Sequence, residues 1–109
     1  MKAIVFCKYG SPDYLKLMEV EKPVPKDNEV LIKVQATSIN EWDRAILHGV
    51  PFVNRISYGL FKPRMQILGA DVAGSIEAVG KNVKRFRSGD EVFGDLCRNG
   101  WGGFAEYVC

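Results

Sequence analysis

Apolar and polar residues alternate with a period of two along much of this chain, and glycines, prolines and Asx residues interrupt them every few positions. That is the pattern of short strands joined by tight turns. Residues 1–7 form a short apolar strand, after which Gly10, Ser11 and Pro12 turn the chain. Over 15–21, Leu15, Leu17 and Val20 set against Lys16, Glu19 and Glu21 predict a half-buried strand. Pro23 and Pro25 lack N–H donors, so 23–28 is a surface loop. The cleanest strand is 30–37. Val30, Ile32, Val34 and Ala36 lie on its predicted core face, with Leu31, Lys33, Gln35 and Thr37 on the other.

The period then changes. Ser38 or Asn40 can cap a helix by accepting from an orphan N–H of its first turn, Glu41 and Asp43 suit the positive end, and Gly49 suits the stop. A short helix over 41–47 is predicted. Residues 50–65 keep no period and mix aromatics, arginines and two prolines. A loop of this length is uncommon unless it covers something, so it reads either as a lid or cleft wall or as the plug of one end of a barrel.

The stretch 68–94 carries glycines at 69, 74, 80, 89 and 94 between the apolar Val72, Ile76 and Val79. It predicts a strand over 71–79 in which Gly74 marks a bulge or the close approach of another backbone. A turn at Gly80-Lys81-Asn82 follows, then a basic connector over 84–88, and Gly89-Asp90 launches a strand at Glu91-Val92-Phe93. From the residues alone, this is a β-hairpin. A Gly-rich connector with Trp101 spans 95–103, and 104–109 opens a last strand. The expected architecture is mainly β, a partly open antiparallel barrel with one or two short helices. A chain ending inside a strand suggests truncation, and its unpaired edge could join another copy into a homo-oligomer.

Fifteen basic and thirteen acidic residues leave a net charge of +2 on 109 residues. That is too little to argue for a nucleic-acid partner or an anionic membrane. The length suits one domain, which buries roughly 65% of its unfolded-chain surface. Cys7, Cys97 and Cys109 are odd in number and form no C-x-x-C pair, which suits a reducing cytoplasm. The N-terminus lacks the continuous apolar core of a signal peptide, and no apolar run approaches the about 20 residues that span a bilayer. The expectation is a soluble protein without a membrane partner.

The central stretch also carries a resemblance. Gly69-Ala70-Asp71 with Gly74, then Val79-Gly80 with Val83, then Gly89-Asp90-Glu91-Val92 resemble the signature of the medium-chain dehydrogenase/reductase superfamily, in its GroES-like catalytic domain. MKAIVF at the start, the Pro-x-Pro-x-x-x-Glu-Val-Leu-Ile-Lys-Val segment beginning at Pro23, and Gly-Gly-Phe-Ala-Glu-Tyr from Gly102 extend it across nearly the whole chain. Many members hold a catalytic zinc through a cysteine and a histidine. Here Asn40 stands in the cysteine's place and Ala70 in the histidine's, and neither is a usual zinc ligand. Of the four-cysteine structural lobe only Cys97 remains, and His48, the sole histidine, reads as a helix-end residue. The resemblance therefore implies the zinc-independent branch, the quinone oxidoreductases and related NAD(P)H-dependent reductases, with no metal.

Their Asn-x-x-Asp signature matches Asn40-Glu41-Trp42-Asp43. By that resemblance Asn40 faces the nicotinamide and the substrate, and its carboxamide donates to an oxygen that gains charge during hydride transfer. Helix capping is the alternative for Asn40, and a helix-dipole role for Asp43. Trp42, Tyr58 and Phe61 flank the implied cleft as substrate-binding candidates, although a buried core position is the commoner fate of a tryptophan. Relatives with a tyrosine and an arginine further along the signature are matched here by Ala45 and Leu47, which implies a more apolar pocket open to a quinone, an enone or another carbonyl compound. No G-x-G-x-x-G opens a βαβ unit. The expectation is a substrate domain over 1–109, with the Rossmann domain that binds NADPH or NADH absent from the chain and the fragment inactive alone. A non-enzymatic barrel used for protein binding or assembly is the competing reading.

Overall fold

In the computed structural model, residues 1–49, 59 and 66–109 are described. Among these residues, six strands and one α-helix follow in order: β1 (Lys2–Val5), β2 (Lys16–Glu19), β3 (Val30–Ala36), α1 (Glu41–His48), β4 (Asp71–Val79), β5 (Glu91–Asp95) and β6 (Tyr107–Val108). A 3-10 turn at Pro12–Tyr14, with Ser11 as its cap, precedes β2. The strands form two antiparallel sheets, a β1-β2 pair and a four-stranded sheet in the order β5-β4-β3-β6. Single bridges from Ala3 to Ala105 and from Val5 to Ile67 tie the pair to the larger sheet's connections without closing a barrel. The mainly β, partly open antiparallel architecture is as expected.

The β3-β4 register is interrupted twice. Leu31 pairs with Ala78 but Ile32 with Ile76, so Glu77 is an extra residue on β4; Val34 pairs with Gly74 but Ala36 with Ala73, so Gln35 is an extra residue on β3. The two bulges offset one another and restore the original register. They also bear on the facing of β3. Val30, Ile32 and Val34 pack on the core as predicted, but Ala36, beyond the extra residue Gln35, is exposed, and Leu31 is buried as well. Glu77 turns its carboxylate to Lys22, whose ammonium lies 4.0 Å above the Tyr107 ring.

Gly74 sits inside this ladder because nothing larger fits. A Cβ there would lie 2.1 Å from the Lys33 carbonyl oxygen. The close approach anticipated at this glycine is thus present, and the bulges lie elsewhere, at Gln35 and Glu77. A second correction concerns β2, whose four residues are all exposed, Leu17 at 66%. Among the described strands it pairs only with β1.

The apolar interior has two parts. Ile32, Val72, Leu96 and Val108 fill the inner face of the four-stranded sheet. Phe6, Tyr9, Ile46, Leu47, Leu68, Ala70 and Trp101 pack beneath α1. Burying Ile46 and Leu47 is worth about 1.5–3 kcal/mol each, and this contact, rather than the propensity of eight residues, holds the helix. Among the described residues no helix is long and apolar enough to cross a membrane.

Candidate active site

The candidate site begins where the chain leaves β3 and turns into α1. Asn40 keeps extended backbone angles while its Oδ1 accepts from the Trp42 backbone N–H at 3.0 Å, which makes it the N-cap. Asp43 completes a capping box: its Oδ2 accepts from the Asn40 N–H at 2.9 Å. At the other end Gly49 adopts the left-handed conformation, φ 68°, and its N–H closes on the Ala45 and Ile46 carbonyls. Acidic groups at the start and His48 in the last turn suit the helix dipole.

Asp43 does more than a helix-dipole role requires. It is 3% exposed, the one buried charged side chain among the described residues, and its Oδ1 accepts from the Gly69 N–H at 3.0 Å. One carboxylate therefore joins the start of α1 to the segment entering β4. Gly69 has φ 105°, and a Cβ on it would fall 2.5 Å from the Phe104 nitrogen. Its carbonyl accepts from Gly103 N–H at 2.9 Å, so the clamp reaches the connector before β6.

The structure also brings Asp71, the first residue of β4, to Asn40. Asp71 Oδ2 accepts from Asn40 Nδ2 at 3.1 Å and from Ser38 Oγ at 2.8 Å, and its backbone carbonyl accepts from Thr37 Oγ1 at 2.7 Å. Sequence reasoning placed Asp71 in a motif but did not link it to Asn40. The only signal was the acidic position of the G-x-[DE]-x-x-G pattern. Beside this cluster an open groove of about 530 Å3 is lined by Thr37, Ser38, Asp71, Ala73, Phe93 and Asp95, among others. A larger cavity of about 610 Å3, lined by residues including Val30, Phe86 and Cys109, holds none of the predicted site residues.

Of the predicted residues, Asn40, Trp42 and Asp43 fall together at the helix start. Trp42 is 56% exposed rather than buried in the core; Trp101 takes the core position, at 3% exposure. Tyr58 and Phe61 lie outside the described residues, as does the predicted lid over 50–65 apart from Gly59, whose carbonyl accepts from the Tyr9 hydroxyl. Leu47, which stands where some relatives have an arginine, is buried beneath α1 and does not face the groove.

The side chains in the zinc-ligand places do not suit a zinc ion. The Asn40 carboxamide is engaged at both ends, and Ala70 presents a methyl group to the core. Cys97 holds its proton: burial and then the neighbouring Asp95 carboxylate push its pKa up to about 11. Among the described residues no three His, Cys, Asp or Glu side chains gather as a metal site.

Similarity to known proteins follows the same residues. The alcohol dehydrogenase GroES-like domain family matches residues 26–109. The quinone oxidoreductase of Lama guanicoe is 43% identical over 110 residues, which is 99% of this chain and 30% of that protein. The human quinone oxidoreductase is 40% identical over 109 residues, again 99% and 30%. The structure of the quinone oxidoreductase from Coxiella burnetii superposes with a TM-score of 0.84 at 35% identity, covering 100% of this chain and 34% of that one. The Escherichia coli quinone oxidoreductase complexed with NADPH gives a TM-score of 0.80 at 27% identity, covering 99% and 30%. The chain thus spans about a third of the length of these relatives. Because the family match covers both the capped helix start and the Asp71 strand that meets it, the chain belongs to the alcohol dehydrogenase GroES-like domain family.

Proposed function

We propose that this chain is the substrate-facing part of a zinc-independent, NAD(P)H-dependent oxidoreductase that transfers hydride between a nicotinamide and a quinone, enone or other carbonyl substrate. The observation that carries this reading is the state of Asn40. Its carboxamide is fixed by Trp42 N–H at one end and Asp71 at the other, and one Nδ2–H is taken up by no described residue. A fixed donor aimed at an oxygen that gains negative charge is electrostatic help that needs no metal. The positive end of α1 draws electron density toward Oδ1 and so makes the remaining N–H a better donor. When bound, the nicotinamide supplies the hydride.

The other residues hold and shape. Asp43 fixes the helix start against Gly69, so the donor does not drift. The exposed Trp42 indole offers a flat apolar surface next to it, suited to a planar conjugated substrate. Tyr58 and Phe61 stay substrate-binding candidates on the resemblance alone. The nucleotide's main seat is assigned to a Rossmann region outside these residues, with NADPH and NADH both admitted. The cytoplasm, where Cys7, Cys97 and Cys109 stay as free thiols, is the compartment this reading favours.

A binding titration of NADPH and NADH, read by fluorescence, tests it on this chain and on the protein extended through the nucleotide-binding region, with metal analysis of the same samples. We expect the extended protein to bind a nicotinamide nucleotide without zinc and the short chain to bind weakly or not at all. Asn40→Ala should then lower turnover about 10²–10³-fold, the usual effect of removing one oxyanion donor. An extended protein that ignores both nucleotides, or that carries stoichiometric zinc, overturns the reading.

A further inference from the structure

We infer that Asp71 is a positioning residue for Asn40, holding the nitrogen end of its carboxamide in one place so that its remaining N–H is presented to a substrate; this rests on the hydride-transfer reading above. The two partners of the Asn40 side chain have fixed and opposite roles. Trp42 offers a backbone N–H, which can only donate, and Asp71 offers a carboxylate, which accepts. Only one orientation satisfies both, with Oδ1 toward the helix and Nδ2 toward β4. A 180° flip would set oxygen against carboxylate and N–H against N–H. The network thus leaves one N–H donor at the nitrogen end, while Oδ1 stays turned to the helix.

Asp71 is well placed to act as this reference point. It opens β4, where it pairs with Asp95 of β5, and the preceding carbonyl of Ala70 accepts from Leu96 N–H at 2.6 Å. Its own carbonyl holds Thr37, and its Oδ2 holds Ser38 as well as Asn40. Three of the four residues between β3 and α1 are therefore tied to one strand residue. Without Asp71 the helix cap survives, because Oδ1 keeps Trp42, but the nitrogen end loses its only described partner and the carboxamide is free to rock about χ2. The acidic residue in this motif position thus serves an asparagine, in a chain whose flanking residue, Ala70, is no ligand.

Side-chain NMR of Asn40 in this chain tests the assignment without turnover. In the parent chain we expect one ordered Asn40 side-chain conformation in which the Asp71-facing Nδ2 proton is protected from exchange relative to the other. Asp71→Ala should abolish that protection and loosen the carboxamide about χ2 while Trp42 N–H keeps its own; Asp71→Asn, which retains an acceptor, should restore much of the protection. An Nδ2 proton as protected in Asp71→Ala as in the parent chain, or an Asp71→Asn protein that behaves like the alanine variant, overturns the inference. In the nucleotide-binding protein, Asp71→Ala should lower kcat about 10- to 100-fold with KM little changed. Combined with Asn40→Ala it should add nothing, and losses that multiply would overturn it. If Asn40→Ala alone leaves turnover intact, the hydride-transfer reading falls, and the protection of the Asn40 Nδ2 proton still decides the role of Asp71.

Discussion

β2 and β4 both lie in stretches predicted as strands and meet different fates. In β4, Val72, Gly74 and Ile76 are buried while Asp71 and Glu77 face out. In β2 nothing is buried, and Leu17 and Met18 are 66% and 47% exposed. The backbone conformation is the same; the neighbours differ. β4 has β3 on one edge and β5 on the other, and its inner face meets Ile32, Leu96 and Val108, whereas among the described strands β2 has only β1. A period of two therefore reports a strand, and burial is decided by what distant segments bring to its faces. The sharpest test is a pair of truncations. Ile76→Ala should destabilise by roughly 2–5 kcal/mol, as core truncations do, and Leu17→Ala by less than about 0.5 kcal/mol. Urea unfolding midpoints read the difference, and equal losses would mean that β2 is covered in solution.

The same contrast exists within one helical turn. Glu41 and Asp43 both open α1, yet Glu41 is exposed beside Arg44 and Asp43 is buried with two backbone N–H groups on it. Removing Asp43 leaves the Gly69 N–H unsatisfied and undoes half of the capping box. Asp43→Ala should therefore cost roughly 2–4 kcal/mol, against a few tenths for Glu41→Ala. Asp43→Asn keeps one acceptor and should recover part of the loss; an Asn variant no better than Ala would argue that the charge itself is what matters.

A smaller effect separates two glycines of the four-stranded sheet. Gly74→Ala forces a Cβ against the Lys33 carbonyl and should cost roughly 1–3 kcal/mol through strand displacement. Gly94, across the ladder in β5, has open space where its Cβ would go, so Gly94→Ala should be neutral or stabilising by up to about 1 kcal/mol. If both are neutral, the β3-β4 bulges are absorbing the methyl group.

These differences show what was legible in the residues. Turn and cap chemistry is local, so α1 was predicted to within a residue of its end, from Asn40 to Gly49, and the strands were placed where glycines bound them. Gly74 was legible as a close approach. The facing of β3 was legible at Val30, Ile32 and Val34, but the exposure of Ala36 was not, because it follows Gln35, an extra residue that shows only once the strands are paired. Nor was the burial of Asp43, which takes its second partner 26 residues away, or the bond to Asn40 from Asp71, 31 residues away. Which tryptophan is buried was equally nonlocal. Trp101, at φ 65°, reaches the core from a glycine-rich connector, while Trp42, on a helix whose underside is already filled by Ile46 and Leu47, stays outside.

Cys97 gives the finest measure of the contrast between packed and open regions, because it lies just after β5 and packs on the cluster beneath α1, whereas Cys7 is exposed. Burial, then the hydrogen bond and charge of Asp95, raise the Cys97 pKa from 9.0 to about 11. A raised folded value means that the native state keeps a proton which the unfolded chain gives up. The contribution to stability is complete below about pH 9 and declines as pH rises toward 11, by less than about 1 kcal/mol for a group this close to the surface. Asp95 is held below its ordinary value by the Cys97 N–H, so its contribution has the opposite sense and fades as pH falls below the usual carboxylate range. At pH 8 a chromogenic disulfide should therefore modify Cys7 at least about tenfold faster than Cys97, since the thiolate is the nucleophile. Cys7→Ser should remove the fast phase, and denaturant should erase the difference. Were Cys97 to react as quickly as Cys7 in the native chain, water would have access to the core beneath α1, and the packed side of the molecule would be as open there as β2 is at its edge.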